Sequence, residues 1–167
     1  EIVTAMSLLA HHVASLGATR ADYDDAIRRL IHNLVNIKDE SGEFLLHLDD
    51  GRVIDTKGWA GWEWTHGVGL YGIWKHWEVT GSEEAWDIMT DWFEARFKEG
   101  TPSKNINTMA PFLTLAYLYE RTGNTTYLPY LDIWAEWLMD GLPRTEENGF
   151  QHIVVGARPR LRSSSGL

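Results

Sequence analysis

The chain has 167 residues, of which 44% are hydrophobic, enough for one domain with a substantial core. Its 15 Lys and Arg residues against 24 Asp and Glu residues give a formal charge of −9, which argues against a nucleic acid or an anionic membrane as a partner. The absence of cysteine excludes disulfides and thiolate metal sites. No apolar run is long enough to span a bilayer, and we expect a cytoplasmic protein.

The first third of the chain is expected to contain two helices and a small insert. Residues 2–14 indicate an amphipathic helix rather than a signal peptide, because two histidines interrupt the apolar run and no basic start precedes it. Residues 20–37 predict a second helix, with Leu30 among the residues that face inward. Two short apolar segments then flank residues 49–51 (DDG), a pattern typical of a β-hairpin.

An internal repeat organises the rest of the chain. Residues 77–81 (WEVTG) are echoed 42 positions later by residues 119–123 (YERTG). Each copy indicates a helix that ends at a left-handed glycine, then a turn and a second helix. Ser82 and Asn124 (or Thr125) are natural N-caps for the second helices, and the first helices are predicted to begin near Thr65 and Thr108.

Helical hairpins repeated at about 40 residues predict a solenoid or a closed helical toroid. A helical bundle is the alternative, but the alternation of aromatic-rich inner and outer helices favours a ring. The sequence also contains nine Trp residues, most of which we expect to fill the core.

Three segments, in this order, resemble glycoside hydrolase family 105, the unsaturated rhamnogalacturonyl hydrolases. They are residues 51–59 (GRVIDTKGW) with 62–70 (WEWTHGVGL), residues 105–111 (NINTMAP) and residues 143–152 (PRTEENGFQH). The resemblance implies an all-α toroid, here an incomplete (α/α)6 barrel with a short β-hairpin insert. Residues 1–152 would form the amino-terminal part of that domain, and residues 153–167 an irregular basic, Ser-rich tail.

The resemblance also implies a reaction. The substrate would be a small pectin-derived oligosaccharide with a 4,5-unsaturated uronic acid at its non-reducing end. Ordinary glycoside hydrolysis uses a pair of carboxyl groups. Such enzymes work differently, because an Asp protonates the double bond and water adds to it. The hemiketal then opens and releases the second sugar. Neither a metal nor an organic cofactor is expected.

The resemblance assigns substrate-binding positions to Trp62, Trp64, His66 and Arg144. Each residue also has an ordinary structural interpretation. The two Trp rings could stack on a sugar or line a hairpin contact, and His66 could face the pocket or a backbone carbonyl. Arg144 is favoured as a brace for its loop. Thr65 could cap the first inner helix.

Asn107 and His152 are the candidate catalytic residues. Asn107 occupies a position where many relatives carry an acidic residue, and it can bond a sugar hydroxyl or carboxylate, or serve as a helix cap in competition with Asn105. His152 resembles the family's pocket histidine, which would contact the uronate; a structural histidine is the alternative.

The proton-donating Asp of the family is missing. It should fall near Ser163, yet no Asp or Glu follows Glu147. We therefore expect this chain to have little activity by itself. Two alternatives stay open: a non-catalytic remnant that binds sugars or self-associates through the open edge of the ring, and a related toroid enzyme such as an epimerase, which the segment at 143–152 argues against.

Overall fold

A computed structural model describes residue 17 and residues 19–47 and 51–152. Five α-helices lie in these ranges: α1 (Arg20–Val35), α2 (Trp64–Thr80), α3 (Glu83–Glu99), α4 (Phe112–Thr122) and α5 (Leu128–Glu136). A 3₁₀ turn (Thr125–Tyr127) precedes α5 and a π-helical turn (Trp137–Gly141) follows it. The predicted helix at 2–14 and the predicted tail at 153–167 lie outside the described residues.

A two-stranded antiparallel sheet separates α1 from α2. Strands β1 (Leu45–His47) and β2 (Val53–Asp55) pair with Leu45 opposite Asp55 and His47 opposite Val53. These strands lie in the two segments that the sequence places on either side of the DDG turn. Residues 48–50 of that turn lie outside the described residues.

The two helical hairpins turn where the 42-residue repeat predicts. Gly81 ends α2 with φ 68°, and Gly123 ends α4 with φ 65°, a left-handed conformation that glycine adopts without steric cost. Ser82 Oγ then accepts a hydrogen bond from the N–H of Ala85 at 3.2 Å, and Asn124 Oδ1 accepts one from the N–H of Thr126 at 3.1 Å. Ser82 is thus confirmed as the N-cap of α3, and Asn124 rather than Thr125 caps the 3₁₀ turn that leads into α5.

The core lies where α2, α3, α4 and α5 meet. α2 packs against both α3 and α4, and α5 packs against α4. The largest fully buried side chains come from all four helices: Trp134, Phe93, Leu70, Ile73, Met89, Leu115 and Leu118. Gly67 of α2 permits a close approach to the start of α4, because a Cβ there would lie 2.6 Å from the carbonyl carbon of Ala110. The starts of α2 and α4 therefore lie side by side.

Three local predictions are wrong. Leu30 of α1 is 68% exposed rather than directed inward, and α1 has no buried residue. α2 begins at Trp64, next to the predicted start at Thr65, but its N-cap is Glu63 rather than Thr65. α4 begins at Phe112 rather than near Thr108.

The late start of α4 has a physical cause. Residues 106–111 form turns, and the side chain of Asn105 accepts the N–H groups of two of them, Asn107 and Thr108. Pro111 also disfavours helical backbone at the residue before it, so regular helix begins after the proline.

Within the described residues, no helix is both long and apolar enough to cross a membrane.

Candidate active site

The loop that joins β2 to α2 is held in place by contacts of the Trp62 side chain with α3 and with the segment around the start of α4. Trp62 Nε1 donates a hydrogen bond to the carbonyl of Thr108 at 2.7 Å, which ties the loop to the turn before α4. The Trp62 ring packs against Trp92 and Phe112, with centroids 5.0 and 5.4 Å away. The predicted sugar-binding residue Trp62 is thus half-buried among other aromatic rings, and its indole N–H is already used.

His66 lies inside the protein rather than on its surface. It is only 3% exposed, and both ring nitrogens are bonded to the backbone of the preceding loop. Nδ1 accepts from the N–H of Glu63 at 3.1 Å, so Nε2 carries the proton and donates to the carbonyl of Gly58 at 2.7 Å. Burial lowers the pKa of His66, because the charged imidazolium would lose its hydration.

Trp64 is different, because it is the first residue of α2 and is 53% exposed. The close packing of Gly67 against Ala110 and Pro111 puts Trp64 at the same end of the molecule as the turn that contains Asn107. An exposed indole at a helix start is suited to stack on a sugar ring.

The turn before α4 orients Asn107. Asn105 is buried, and its Oδ1 accepts the N–H groups of Asn107 at 2.9 Å and of Thr108 at 3.1 Å. Thr108 Oγ1 donates to the carbonyl of Ser103 at 2.9 Å and closes the turn. Asn105 therefore serves as the cap of this turn, which leaves the side-chain amide of Asn107 to make another contact.

That contact is with His152, 45 residues further along the chain. His152 Nε2 lies 2.9 Å from Asn107 Oδ1, and since an amide oxygen can only accept, Nε2 donates this hydrogen bond. His152 is exposed and Asn107 is half-buried. The amide NH₂ of Asn107 and Nδ1 of the imidazole remain, so the pair offers donors and an acceptor to a polar ligand such as a sugar carboxylate or hydroxyl.

The loop that carries His152 is braced by Arg144. Its backbone forms a β-bridge with Phe150, and its guanidinium lies 4.4 Å from the centre of the Phe150 ring. Nη1 also donates to the carbonyl of Asn148 at 3.3 Å. Gln151 Nε2 donates to the carbonyl of Arg144 at 3.0 Å, immediately before His152. Arg144 thus contacts its own loop, as the sequence favours.

Sequence reasoning missed two side chains of α3 that position the loop between β2 and α2 (residues 56–63), called the aromatic loop below. Trp92 Nε1 donates to the carbonyl of Trp59 at 2.8 Å, and the buried Arg96 donates from Nη1 to the carbonyl of Ala60. Arg96 Nη2 donates to Glu99 Oε1 at 2.6 Å. The sequence did contain a signal for Arg96, which lies on the aromatic face of α3 between Phe93 and Phe97. A charged group on such a face needs a buried partner, so its position indicates a contact with another segment.

Comparison with known proteins identifies the family. The family described as Glycosyl Hydrolase Family 88 matches residues 17–162, which is most of the chain. The chain belongs to this family. The family match covers α1 to α5, the turn with Asn107 and the loop with His152.

The relatives of this Family 88 chain support the resemblance seen in its sequence. It is 32% identical over 96 residues to the unsaturated rhamnogalacturonyl hydrolase YesR of Bacillus subtilis (strain 168), which is 58% of this chain and 28% of YesR. The crystal structure of a possible member of the GH105 family from Klebsiella pneumoniae subsp. pneumoniae MGH 78578 matches with 62% identity and a TM-score of 0.78. A Salmonella enterica subsp. enterica serovar Paratyphi A protein, described in the same words, matches with 61% identity and a TM-score of 0.78.

Each solved structure is matched over 83% of this chain and 36% of its own length, so the chain spans about a third of these relatives. The predicted resemblance to unsaturated rhamnogalacturonyl hydrolases is confirmed, and the helical hairpins agree with the fold of these structures.

Proposed function

We propose that this Family 88 chain is the amino-terminal part of an unsaturated uronyl hydrolase. In this proposal, residues 1–152 form part of an incomplete (α/α)6 barrel with a β-hairpin insert, and residues 153–167 form an irregular tail. The substrate is a pectin-derived oligosaccharide that ends in a 4,5-unsaturated uronic acid. Similarity to YesR supports the substrate class. The cytoplasmic location belongs to the same proposal, and cell fractionation tests it.

The observation that carries the proposal is the contact between Asn107 and His152. Two polar residues far apart in sequence meet at 2.9 Å next to the start of an inner helix, and both lie in segments that resemble the family. We propose that the Asn107 amide and the His152 imidazole bind the uronate, and that the exposed ring of Trp64 stacks on a sugar. The other predicted binding residues would act indirectly, by positioning Asn107, His152 and Trp64. Their polar groups already bond the loops that carry the site; these residues are Trp62, His66 and Arg144.

The reaction class needs a general acid that this chain does not provide. Protonation of an enol-ether carbon requires a positioned acid with a pKa near the working pH, and a positioned acid typically contributes about 10²–10⁴-fold in rate. The acid is expected near Ser163, and a serine hydroxyl is a very weak acid. Asn107 has no acidic proton to replace it. We therefore propose that the 167-residue chain binds the unsaturated sugar but hydrates it at least about 10²-fold more slowly than a complete relative.

The test measures turnover and binding separately. Turnover is the loss of absorbance of the 4,5-double bond in an unsaturated rhamnogalacturonan disaccharide, with YesR as the positive control. Binding of the same disaccharide is measured by titration calorimetry. We expect almost no turnover, and we expect His152→Ala and Trp64→Ala each to weaken binding about tenfold, since the loss of one good contact is worth on the order of 1 kcal/mol.

A matched control separates the site from general effects of the substitution. His32 is exposed on α1, and His32→Ala should leave the affinity unchanged. If the disaccharide does not bind, or if His152→Ala and His32→Ala bind it equally well, the proposed site is wrong. Turnover at the rate of YesR that survives His152→Ala would contradict both the missing acid and the role of the pair.

A further inference from the structure

The side chain of Asp55, at the end of β2, accepts hydrogen bonds from three backbone N–H groups. Oδ1 accepts from the N–H groups of Lys57 at 2.9 Å and Gly58 at 2.8 Å, both at the start of the aromatic loop. Oδ2 accepts from the N–H of Asp39 at 2.8 Å, in the segment between α1 and β1. Hydrogen bonds to an ionised carboxylate are stronger than those to a neutral group. One carboxylate therefore joins the aromatic loop to a segment 16 residues earlier in the chain.

Gly58 links this carboxylate to His66. The N–H of Gly58 donates to Asp55 Oδ1, and its carbonyl accepts from His66 Nε2 at 2.7 Å. Gly58 is buried, and a Cβ there would lie 2.7 Å from Asp55 Oδ2 and 2.8 Å from the carboxyl carbon. The carboxylate thus occupies the space that a side chain at residue 58 would need. Asp55 and His66 bond the donor and the acceptor of the same residue.

His66 extends the series of contacts to the residue before Trp64. Its Nδ1 accepts from the N–H of Glu63 at 3.1 Å, and Glu63 is the N-cap of α2. Because a Cβ at Gly61 would lie 2.9 Å from His66 Cε1, the loop backbone lies directly against the ring. Three hydrogen bonds in series therefore connect Asp55 Oδ1 with the backbone beside Trp64, the exposed residue that begins α2.

We propose that Asp55 is a positioning residue of the candidate site. Through the N–H of Gly58, its carboxylate keeps the Gly58 carbonyl on His66 Nε2, and His66 in turn keeps the backbone of Glu63 and Trp64 in place. The direction in which the Trp64 ring meets a sugar then depends on a carboxylate that does not itself touch the sugar. The effect on sugar binding rests on the proposed function, whereas the coupling from Asp55 to Glu63 does not.

The alternative is that Asp55 only forms its own turn and secures the segment after α1. An Asp side chain commonly accepts the N–H two residues further on, and in that case it has no influence on His66. Asparagine separates the two roles, because its amide has one acceptor oxygen where the carboxylate has two. With that oxygen on Lys57 and Gly58, Asp55→Asn keeps the loop contacts and gives up the contact with Asp39. Asp55→Ala gives up all three contacts.

Proton exchange with solvent, followed by NMR at neutral pH, measures this coupling without any sugar. The two protons are the Nε2 proton of His66 and the amide proton of Glu63. We expect Asp55→Ala to speed the exchange of both about tenfold, since the loss of one good hydrogen bond lowers the free energy of local opening. Asp55→Asn should keep the wild-type rates. Asp55→Ser, which has a shorter acceptor, should give intermediate rates and replaces the alanine variant if that variant does not fold.

Asp39→Ala is the matched control. The Asp39 carboxylate also holds backbone N–H groups, but those of Ser41 at 3.0 Å and Phe44 at 2.7 Å instead of Gly58. Asp39→Ala and Asp55→Asn should both lower the free energy of unfolding in urea. Because loop protons exchange through local opening, this loss of global stability should leave both exchange rates at the wild-type value.

Binding of the unsaturated rhamnogalacturonan disaccharide, measured by calorimetry, tests the link to the site. We expect Asp55→Ala to weaken the affinity about tenfold, while Asp55→Asn and Asp39→Ala bind as the wild type does. The proposal is overturned if Asp55→Ala leaves the exchange rates or the affinity unchanged, if Asp39→Ala raises the rates equally, or if Asp55→Asn does not restore them. If the wild-type chain does not bind the disaccharide, the proposed function is wrong, and the exchange rates alone decide whether Asp55 positions the start of α2.

Discussion

The polar side chains around the aromatic loop mostly hold backbone atoms in place. His66 uses both ring nitrogens to bond Glu63 and Gly58, and Arg96 bonds the carbonyl of Ala60. Trp92 bonds the carbonyl of Trp59. A loop without regular hydrogen bonds must satisfy its polar groups in this way when it is packed against a core. The consequence is that Trp64, which follows the loop, is presented to solvent by a fixed scaffold.

Removal of Arg96 should therefore destabilise the fold. Arg96→Ala removes the partner of the Ala60 carbonyl in a partly buried hydrogen bond, and we expect a loss of about 1–3 kcal/mol in the free energy of unfolding. Urea denaturation measures it. Arg29→Ala is the control, because Arg29 pairs with Asp25 at 3.1 Å on the exposed side of α1 and should matter little. Equal effects of the two substitutions would contradict the role given to Arg96.

His66 predicts a dependence of stability on pH. Burial lowers its pKa in the folded state below the ordinary value of 6.5, so the unfolded chain binds the proton more readily. The contribution of neutral His66 is complete above about pH 6.5 and is lost as the pH falls towards the lowered pKa. The free energy of unfolding should therefore fall more steeply with acidification in the wild type than in His66→Gln. The exposed His32→Gln variant should keep the wild-type slope, and a wild-type slope in His66→Gln would contradict the prediction.

The sequence identifies the residues of the candidate site better than their roles. Family position predicts a common site for Asn107 and His152, and the two side chains are in contact. It favours Trp64 for sugar stacking but leaves Trp62 and His66 open, because neighbouring residues in one motif face different directions, and of these three residues only Trp64 is exposed. Arg96 is missed, since its partner is a backbone carbonyl 36 residues away and carbonyls leave no mark in a sequence.

At the scale of helices, the meeting of α2 and α4 depends on one glycine. A Cβ at Gly67 would lie 2.6 Å from both the carbonyl carbon and the Cβ of Ala110, and 2.8 Å from the nitrogen of Pro111. Backbone atoms cannot move aside as the end of a flexible side chain can. The absence of a side chain at Gly67 therefore sets the distance between the two helix starts. That distance in turn sets the position of Trp64 relative to the turn that contains Asn107.

A pair of glycine substitutions on the same helix tests this contact. Gly67→Ala should push the starts of α2 and α4 apart and cost about 1–3 kcal/mol of unfolding free energy, as overpacking does. Gly72→Ala meets nothing within 4 Å and should instead stabilise by up to about 1 kcal/mol, since alanine favours helix over glycine. Thermal or urea unfolding of both variants gives the comparison. Two changes of the same sign would show that the approach of Gly67 to Ala110 does not limit the packing.

Helix ends are predicted well where glycine marks them and poorly where side chains compete with the helix. Gly81 and Gly123 end α2 and α4 as the repeat predicts. The repeat puts the start of α4 near Thr108, because it shows where a helix recurs but not how its first turn is bonded. Asn105 and Pro111 delay that start to Phe112.

At the scale of the whole molecule, the helices differ in how firmly they are held. α2, α3 and α4 each bury four or more residues, whereas α1 buries none. α1 is fixed at its start by a capping box between Thr19 and Asp22, and it touches α2 where Leu34 approaches Gly69. Local capping sets where a helix begins, but burial sets how often it opens. α1 should therefore be the first of the described helices to unfold locally.

Hydrogen exchange followed by mass spectrometry measures this order directly. Peptides from residues 20–35 should exchange through local opening of low free energy. For peptides from residues 64–80, the opening free energy should approach that of global unfolding, because Leu70 and Ile73 can be exposed only by breaking the core. Leu34→Ala should speed exchange in α1 and leave α2 close to the wild type, since Leu34 packs against the edge of the core and is not one of its buried residues. Exposed Leu30→Ala serves as the control and should change neither helix. Equal protection of α1 and α2 in the wild type would mean that α1 is part of the cooperative core despite its lack of buried residues.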